Sequence, residues 1–246
     1  MKSFVPVSGK TYEFRHDKFK DRFKDEFKDK FEAELEFSSR SSRAPETIEI
    51  ESEQQVYPAG SELLRQGASP REIFFIEQGL IKLVSTSEEG RDVIISLRYP
   101  GWLLGVPSAL AREPYPATAV ALTLCRLRRI SADDLIHLAR TDALISWQLH
   151  QAQSREILDH VDRVAQLGES SSIHRLRRLL RQLVSAMGSG ESSKDLRVPM
   201  PLKHAEMARF IAVSPEHLSR LLRQMQSDGV IRREKGWIIV SDLKYL

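Results

Sequence analysis

Three polar side chains near the C-terminus have the spacing and the chemistry needed to recognise base edges of a nucleic acid. Glu216, Ser219 and Arg220 are three and four positions apart, so they share one face of a helix. The Arg220 guanidinium can donate two hydrogen bonds to O6 and N7 of a guanine, and the Glu216 carboxylate can accept one from a cytosine amino group. We predict that this face reads DNA sequence; alternatively, Glu216 and Arg220 pair with each other and mainly stabilise the helix.

The segment around this face has the apolar spacing of a helix-turn-helix followed by a wing. The apolar residues that would close the two helices on each other are Met207, Ala208, Ile211, Ala212, Val213, Leu218 and Leu221. Ser214 can cap the second helix, and Pro215 suits its first turn. Apolar runs at 230–231 and 237–240 then predict two strands around a basic tip. Ala212 stands where a turn glycine would be more usual.

Positive charge collects in the same segment. Residues 197–246 contain nine Lys/Arg and five Asp/Glu, a difference of +4, whereas the whole chain carries +3. Such clusters of cations are typical of a surface that meets a phosphate backbone. The residues predicted to contact DNA are Ser214, Glu216, His217, Ser219, Arg220, Arg223, Arg232, Arg233 and Lys235.

Two regions with different patterns precede this segment. From about residue 48 to 129, short β-rich runs alternate with glycines, which predicts a sandwich or barrel domain at 46–141. Residues 142–168 predict a long helix, followed by a winged helix-turn-helix domain at 169–246. The apolar stripe of the long helix consists of Ile145, Leu149, Ala152, Ile157, Val161 and Val164. Because a long helix that leaves a compact domain has little else to cover such a stripe, we predict a homodimer seam; packing on its own domain is the alternative.

Residues 1–45 are predicted to be an amphipathic helix and a linker. Phe19, Phe23, Phe27 and Phe31 recur every four residues, with lysines and aspartates between them. The helix could dock on its own domain, bind a partner helix or lie on a membrane. The mixture of both charge signs on the polar face argues against a basic membrane anchor.

Composition narrows the possible function classes. Of the 246 residues, 41% are hydrophobic and 29% are charged, and no apolar run approaches the roughly 20 residues that span a bilayer. No secretory signal is evident, so a cytoplasmic protein is expected. Cys125 is the single cysteine, which excludes an intrachain disulfide, a four-cysteine zinc site and a cysteine-ligated iron–sulfur cluster within one chain. The sequence lacks a P-loop, a nucleophile elbow and a His-Glu-x-x-His motif, so we predict no enzyme, no catalytic residue, no metal and no cofactor.

Together these parts resemble the Crp/Fnr superfamily of bacterial transcription regulators over about residues 50–246. The resemblance rests on the glycine-spaced β-region, the long helix and the run from Ser214 to Arg220, in that order. It implies an α+β fold with a jelly-roll-like β-roll sensor, a dimerising helix and a C-terminal winged helix-turn-helix. It also implies a homodimer that binds two-fold DNA sites and contacts RNA polymerase. The Glu-x-x-Ser-Arg pattern resembles that of Fnr-type members, which implies TTGAT-like half-sites in an inverted repeat.

The signal that the sensor would receive is less clear from the sequence. Family members that bind cyclic AMP have Gly-Glu and Arg-Ser in their binding loop, whereas here Val106 follows Gly105 and residues 116–119 contain no arginine. Arg112 could replace the missing cation, so the candidate effector contacts are Gly105, Arg112 and Thr118. A regulator with an unidentified small-molecule effector is predicted, and the alternative is a cyclic-nucleotide receptor with a rebuilt phosphate site. A haem ligand is not expected, because His137, His150 and His160 have the pattern of ordinary helix-surface residues.

Overall fold

The computed structural model describes residues 53–168, 171–187 and 194–246, all within one compact unit, Ile48–Leu246. The predicted N-terminal helix and linker lie outside the described residues. The predicted α+β architecture is confirmed, with a β-roll, a long helix and a winged helix-turn-helix in that order. No helix in the described ranges is long and apolar enough to cross a membrane.

The β-roll consists of two four-stranded antiparallel sheets. Its strands are β1 (Glu53–Tyr57), β2 (Glu62–Leu64), β3 (Glu72–Gln78), β4 (Ile81–Thr86), β5 (Asp92–Arg98), β6 (Leu103–Leu104), β7 (Thr118–Ala121) and β8 (Cys125–Ser131). One sheet has the order β1-β8-β3-β6, and the other has the order β2-β7-β4-β5. A hairpin turn around Gly90 joins β4 to β5, where the Ser87 N–H donates to the Arg91 carbonyl at 3.0 Å.

Burial on both faces explains the unbroken apolar run in β3. Ile73 to Ile76 are all buried, because the opposite sheet packs on one side of the strand and short helices cover the other. Helix α1 (Val106–Ala111) contacts β3, and helix α2 (Ala132–Thr141), which begins after the predicted cap Ser131, contacts β8.

Close packing also explains Gly79 and Cys125. Gly79 has φ +105°, and a Cβ there would lie 2.5 Å from the Cys125 sulfur. Cys125 is fully buried, and this burial raises the pKa of its thiol. The cysteine therefore acts as a small core residue rather than as a reactive thiolate.

A buried arginine attaches the long helix to the β-roll. Arg98, at the end of β5, has no exposed surface, and its Nη1 and Nη2 lie 2.8 Å from Asp159 Oδ2 and 3.2 Å from Glu156 Oε1. Both carboxylates belong to α3 (Ala143–Gly168). The Arg98 and Arg155 guanidiniums both lie over the Trp102 ring, at 4.2 and 4.4 Å from its centroid. Burial lowers the pKa of Arg155, so this cluster of cations is held by carboxylates and an aromatic face rather than by water.

The C-terminal part is a winged helix-turn-helix on a three-stranded sheet. Its elements are α4 (Ser172–Met187), β9 (Lys194–Pro199), α5 (His204–Phe210), α6 (Pro215–Ser227), β10 (Ile231–Glu234), β11 (Trp237–Asp242) and a 3-10 turn at Leu243–Tyr245. The predicted wing strands pair antiparallel, but β9, which adds to β11, was not expected. Ala212 has φ +53°, a left-handed conformation that costs a non-glycine residue about 1–2 kcal/mol.

We predict that Arg98→Met lowers the free energy of unfolding by about 3 kcal/mol, because two largely buried carboxylates, Glu156 and Asp159, lose the guanidinium that is bonded to both of them. Arg91→Met is the matched control, since Arg91 pairs with Glu89 on the surface and such pairs contribute about 0–1 kcal/mol. Urea unfolding of the two variants measures the difference. Equal losses of stability in the two variants would contradict the structural role of Arg98.

Candidate nucleic-acid interface and sensor cavity

The packing of α5 against α6 turns the predicted reading face, Glu216, Ser219 and Arg220, away from the core. The buried residues between the two helices include Met207, Ile211, Leu218, Leu221, Leu222 and Met225. Ser214 caps α6 by accepting a hydrogen bond from the His217 N–H at 3.2 Å. Glu216 and Arg220 are exposed, while Ser219 is half-buried. The apolar spacing of the sequence thus fixes which side of α6 faces outward.

Neighbouring groups hold the polar side chains of this face. Arg220 Nη2 lies 3.3 Å from Nδ1 of His217, whose Nε2 lies 2.8 Å from Ser172 Oγ at the start of α4. The Ser219 hydroxyl donates to the Pro215 carbonyl at 3.1 Å. Hydrogen bonds from its own backbone N–H and from Ser214, together with the Arg220 charge, lower the pKa of the Glu216 carboxyl. Glu216 is therefore ionised at neutral pH and can act only as an acceptor.

The wing presents cations beside α6. Arg233 and Lys235 are exposed near its tip. Arg232 is also exposed, and its Nη2 lies 2.8 Å from Asp195 Oδ1 on β9. Because that pair is open to solvent, Arg232 can exchange Asp195 for a phosphate at little cost. Strand β9 therefore supplies a carboxylate, Asp195, that pairs with a wing cation. The sequence did not predict this strand, although Leu196 and Val198 alternate as strand residues do.

Helix α5, the first helix of the helix-turn-helix, packs against the β-roll. Lys82 on β4 forms an ion pair with Glu206 on α5, and the second Glu206 oxygen accepts from the Lys203 N–H at 2.9 Å. Burial alone would raise the pKa of Glu206, but the hydrogen bonds from Lys82 and Lys203 outweigh it and lower the pKa. This pair joins residues 124 positions apart, a distance at which no sequence periodicity can signal a contact.

Arg163, on the long helix, completes the docking contact. Its Nη2 donates to the Phe210 carbonyl at 2.5 Å, and its Nε donates to the Ile95 carbonyl at 3.3 Å. The guanidinium also lies 4.0 Å from the centroid of the Phe210 ring. Burial lowers the pKa of Arg163. One side chain therefore connects the β-roll, the long helix and the end of α5.

The long helix exposes an apolar stripe in its C-terminal half, and Leu144 and Trp147 near its start are also 47% and 61% exposed. Ile157, Leu158, Val161 and Val164 are between 51% and 69% exposed. The expected unburied stripe is wrong at Ile145 and Leu149, which are 8% and 3% exposed, and Ala152 is half-buried. Contacts between α2 and α3 explain the difference, because the N-terminal half of the long helix packs on its own protomer.

The β-roll contains a small apolar cavity of about 70 Å³. Its lining residues are Leu64, Leu83, Leu103, Leu104, Gly105, Pro107, Ser108, Tyr115, Pro116, Ala117 and Glu156. Gly105 is the predicted effector contact that belongs to this lining. Its φ of +87° is strained for any other residue, and a Cβ there would make a tight contact of 3.0 Å with Glu72 O. No arginine or lysine is among these lining residues.

The two other predicted effector residues, Arg112 and Thr118, are not among the residues that line this cavity, and their role stays a prediction. Thr118 accepts a hydrogen bond from the Gln66 N–H at 3.1 Å, so its hydroxyl supports the β-roll backbone. Arg112 ends α1 in a left-handed conformation, with φ 57°, and its side chain is exposed.

Across residues 53–168, 171–187 and 194–246, no group of three or more His, Cys, Asp or Glu could hold a metal ion.

Comparison with known proteins identifies both halves of the chain. The cyclic nucleotide-binding domain matches residues 54–142, and the Crp-like helix-turn-helix domain matches residues 174–246. The anaerobic regulatory protein of Haemophilus influenzae is 28% identical over 185 residues, which cover 75% of this chain and 71% of that protein. The CRP-like cAMP-activated global transcriptional regulator of Mycobacterium tuberculosis is 26% identical over 199 residues, 77% of this chain and 84% of that protein.

Structural comparison gives the same fold. FixK2 from Bradyrhizobium japonicum superposes with a TM-score of 0.69 at 16% identity, covering 79% of this chain and 94% of that structure. The chain therefore belongs to the Crp/Fnr family of transcription regulators, with a cyclic-nucleotide-binding-type β-roll and a DNA-binding helix-turn-helix.

Proposed function

We propose that this regulator is a homodimer that binds an inverted repeat of TTGAT-like half-sites and responds to an effector other than a cyclic nucleotide. The observation that carries the proposal is the outward face of α6, on which an ionised Glu216 and an exposed Arg220 stand one turn apart in the N-terminal half of the helix. That half of a recognition helix is the part that reaches base edges in the major groove.

Each group on this surface has a distinct role in the proposed complex. Arg220 donates to a guanine, Glu216 accepts from a cytosine amino group, and Ser219 is short enough to let the helix approach a thymine methyl group. Ser214 and His217 lie at the start of α6, close to the DNA backbone. The cations that would neutralise phosphates are Arg209, Arg223, Arg232, Arg233 and Lys235.

Two-fold symmetry in the DNA site follows from the proposed dimer. The apolar stripe of Ile157, Leu158, Val161 and Val164 is continuous on one side of α3. A second copy of α3 would bury this stripe against itself and would relate the two reading helices by a two-fold axis. Binding in the cytoplasm next to RNA polymerase, with no membrane contact, would then allow the dimer to regulate transcription as other members of the family do.

The chemistry and the size of the cavity argue against a cyclic nucleotide as the effector. A cyclic phosphate needs a cation and oriented donors, whereas the cavity lining has one carboxylate, Glu156, and no basic side chain. About 70 Å³ is also less than the roughly 150 Å³ that holds benzene. The Mycobacterium tuberculosis relative is named as cAMP-activated, so a cyclic-nucleotide-responsive regulator with a rebuilt phosphate site is the alternative function.

We predict that Ile157→Glu combined with Val161→Glu yields a monomer at concentrations where the unaltered protein is a dimer. The two changes place like charges against each other across the seam and remove two apolar contacts. Val93→Glu is the matched control, because Val93 is equally exposed but lies on the β-roll. Sedimentation velocity measures the outcome, and a dimer that survives the double change would locate the seam elsewhere.

Arg220→Ala should cost about 1–3 kcal/mol of binding per half-site and relax the choice at one G·C pair. Arg223→Ala is the control, since loss of a phosphate contact should weaken all sequences alike and reduce the salt dependence of binding. The affinities are measured on a site selected from random DNA and on its single-base variants. If Arg220→Ala discriminates at every position like the unaltered protein, another residue reads the guanine.

Calorimetric titration with cyclic AMP should show no binding in the micromolar range. The reason is the absence of a cationic side chain from the cavity lining. Binding of the same protein preparation to its selected DNA site serves as the control for a folded sample. A dissociation constant of about 1 μM, which corresponds to about −8 kcal/mol, would contradict this prediction and favour the alternative function.

A further inference from the structure

His217 connects the reading arginine to a different helix. Its Nδ1 lies 3.3 Å from Arg220 Nη2, one turn further along α6, and its Nε2 lies 2.8 Å from the hydroxyl of Ser172, the first residue of α4. His217 and Ser172 are both half-buried, whereas Arg220 is exposed. Ser172, His217 and Arg220 therefore form a hydrogen-bonded chain from the start of α4 to the surface that would face DNA.

The hydrogen bond from Arg220 determines the tautomer of His217. A guanidinium has only N–H donors, so the hydrogen bond from Arg220 requires Nδ1 to be an acceptor. The ring proton of neutral His217 must then lie on Nε2, where it can be donated to Ser172 Oγ. Ser172 thus orients the ring, and the ring offers its lone pair to Arg220.

This arrangement reduces the freedom of Arg220 before DNA is present. An arginine side chain on a helix surface has many rotamers, and ordering them on binding weakens recognition. One Nη2–H bound to His217 restricts the guanidinium to rotamers near the ring, while the remaining donors stay available for a base. His217 itself has both ring nitrogens engaged inside the protein, which argues against a direct base contact.

We propose that His217 is a positioning residue that sets the base discrimination of Arg220, with Ser172 as the residue that orients it. The proposal rests on the function proposed above, in which Arg220 reads a guanine. The ligand of the site is thus a G·C pair in the major groove, and His217 acts on it only through Arg220.

The test uses two replacements that separate the two ring nitrogens. In His217→Asn the amide oxygen lies near the former Nδ1 position and can still accept from Arg220. In His217→Gln the amide lies near the former Nε2 position, where it can meet Ser172 but no longer serves Arg220 in the same geometry. His217→Leu removes both contacts, and Ser172→Ala removes only the orienting one. All are made in the full-length chain, and thermal unfolding checks that each is folded.

The measured quantity is the ratio of affinities for the selected site and for the same site with the guanine replaced. His217→Leu should lower this ratio about tenfold, toward the value of Arg220→Ala, with little change on unrelated DNA. Ser172→Ala, which leaves the ring in place, should lower the ratio by a smaller factor. His217→Asn should restore most of the ratio and His217→Gln should not, a difference that a purely structural role of the ring would not produce.

Three outcomes would overturn the proposal. A normal ratio in His217→Leu, when Arg220→Ala loses discrimination, would show that Arg220 needs no positioning and would leave the proposed function intact. Equal rescue by Asn and Gln would show that helix packing, rather than the Nδ1 acceptor, is what matters. A normal ratio in Arg220→Ala would refute the reading role of Arg220 and the inference with it.

Discussion

The buried guanidinium of Arg98 is the interaction on which the arrangement of this protein depends. A fully buried cation is tolerated only when carboxylates and an aromatic face replace water, and Glu156, Asp159 and Trp102 supply them. Because both carboxylates lie on the long helix, the electrostatic requirement of one β-strand residue determines where that helix runs. The same attachment leaves the stripe of Ile157, Val161 and Val164 exposed on the helix.

The position of the long helix in turn determines the position of the winged helix-turn-helix. Arg163 follows Asp159 by one helical turn, and it holds the Phe210 carbonyl at the end of α5. The Arg178 guanidinium of α4 returns to the long helix at Asp162, at 2.6 Å. The ion pair of Lys82 and Glu206 adds a direct contact between strand β4 of the β-roll and α5. Charged and polar groups therefore contribute to the attachment of the winged helix-turn-helix, beside the apolar core that it shares with the β-roll, so its placement is sensitive to single residues.

The cavity and the attachment share one side chain. Glu156 lines the cavity and also pairs with Arg98, so the polarity of the cavity cannot change without affecting the contact that positions the helix. Val106 and Pro116, at the positions where the family resemblance would place the residues that recognise a cyclic phosphate, carry no charge. The β-roll depends on its apolar core and on its glycine turns, whereas ligand chemistry depends on a few lining side chains.

The sequence by itself determined the class of fold and which face of α6 points outward. Periodic apolar residues from Met207 to Met225, the cap at Ser214 and the breaks at Gly229 and Gly236 are local signals, and local physics suffices to interpret them. The same applies to the β-runs and to the length of the long helix. Strand β9 was missed because its six residues carry only two buried side chains, Leu196 and Val198, and form a strand only through pairing with β11.

Only the tertiary structure decided which apolar residues of the long helix are exposed and which groups each polar side chain contacts. Ile145 and Leu149 have the same spacing as Ile157 and Val161, yet they are buried because α2 folds back on the first turns of the helix. Arg98 lies in an ordinary strand pattern, and the residues near it in the sequence do not indicate that its partners are about 60 residues away. The link from Ser172 to His217 and Arg220 spans 45 residues for the same reason. Periodicity reports which face of an element is apolar, whereas long-range pairing of charges depends on how the finished elements meet.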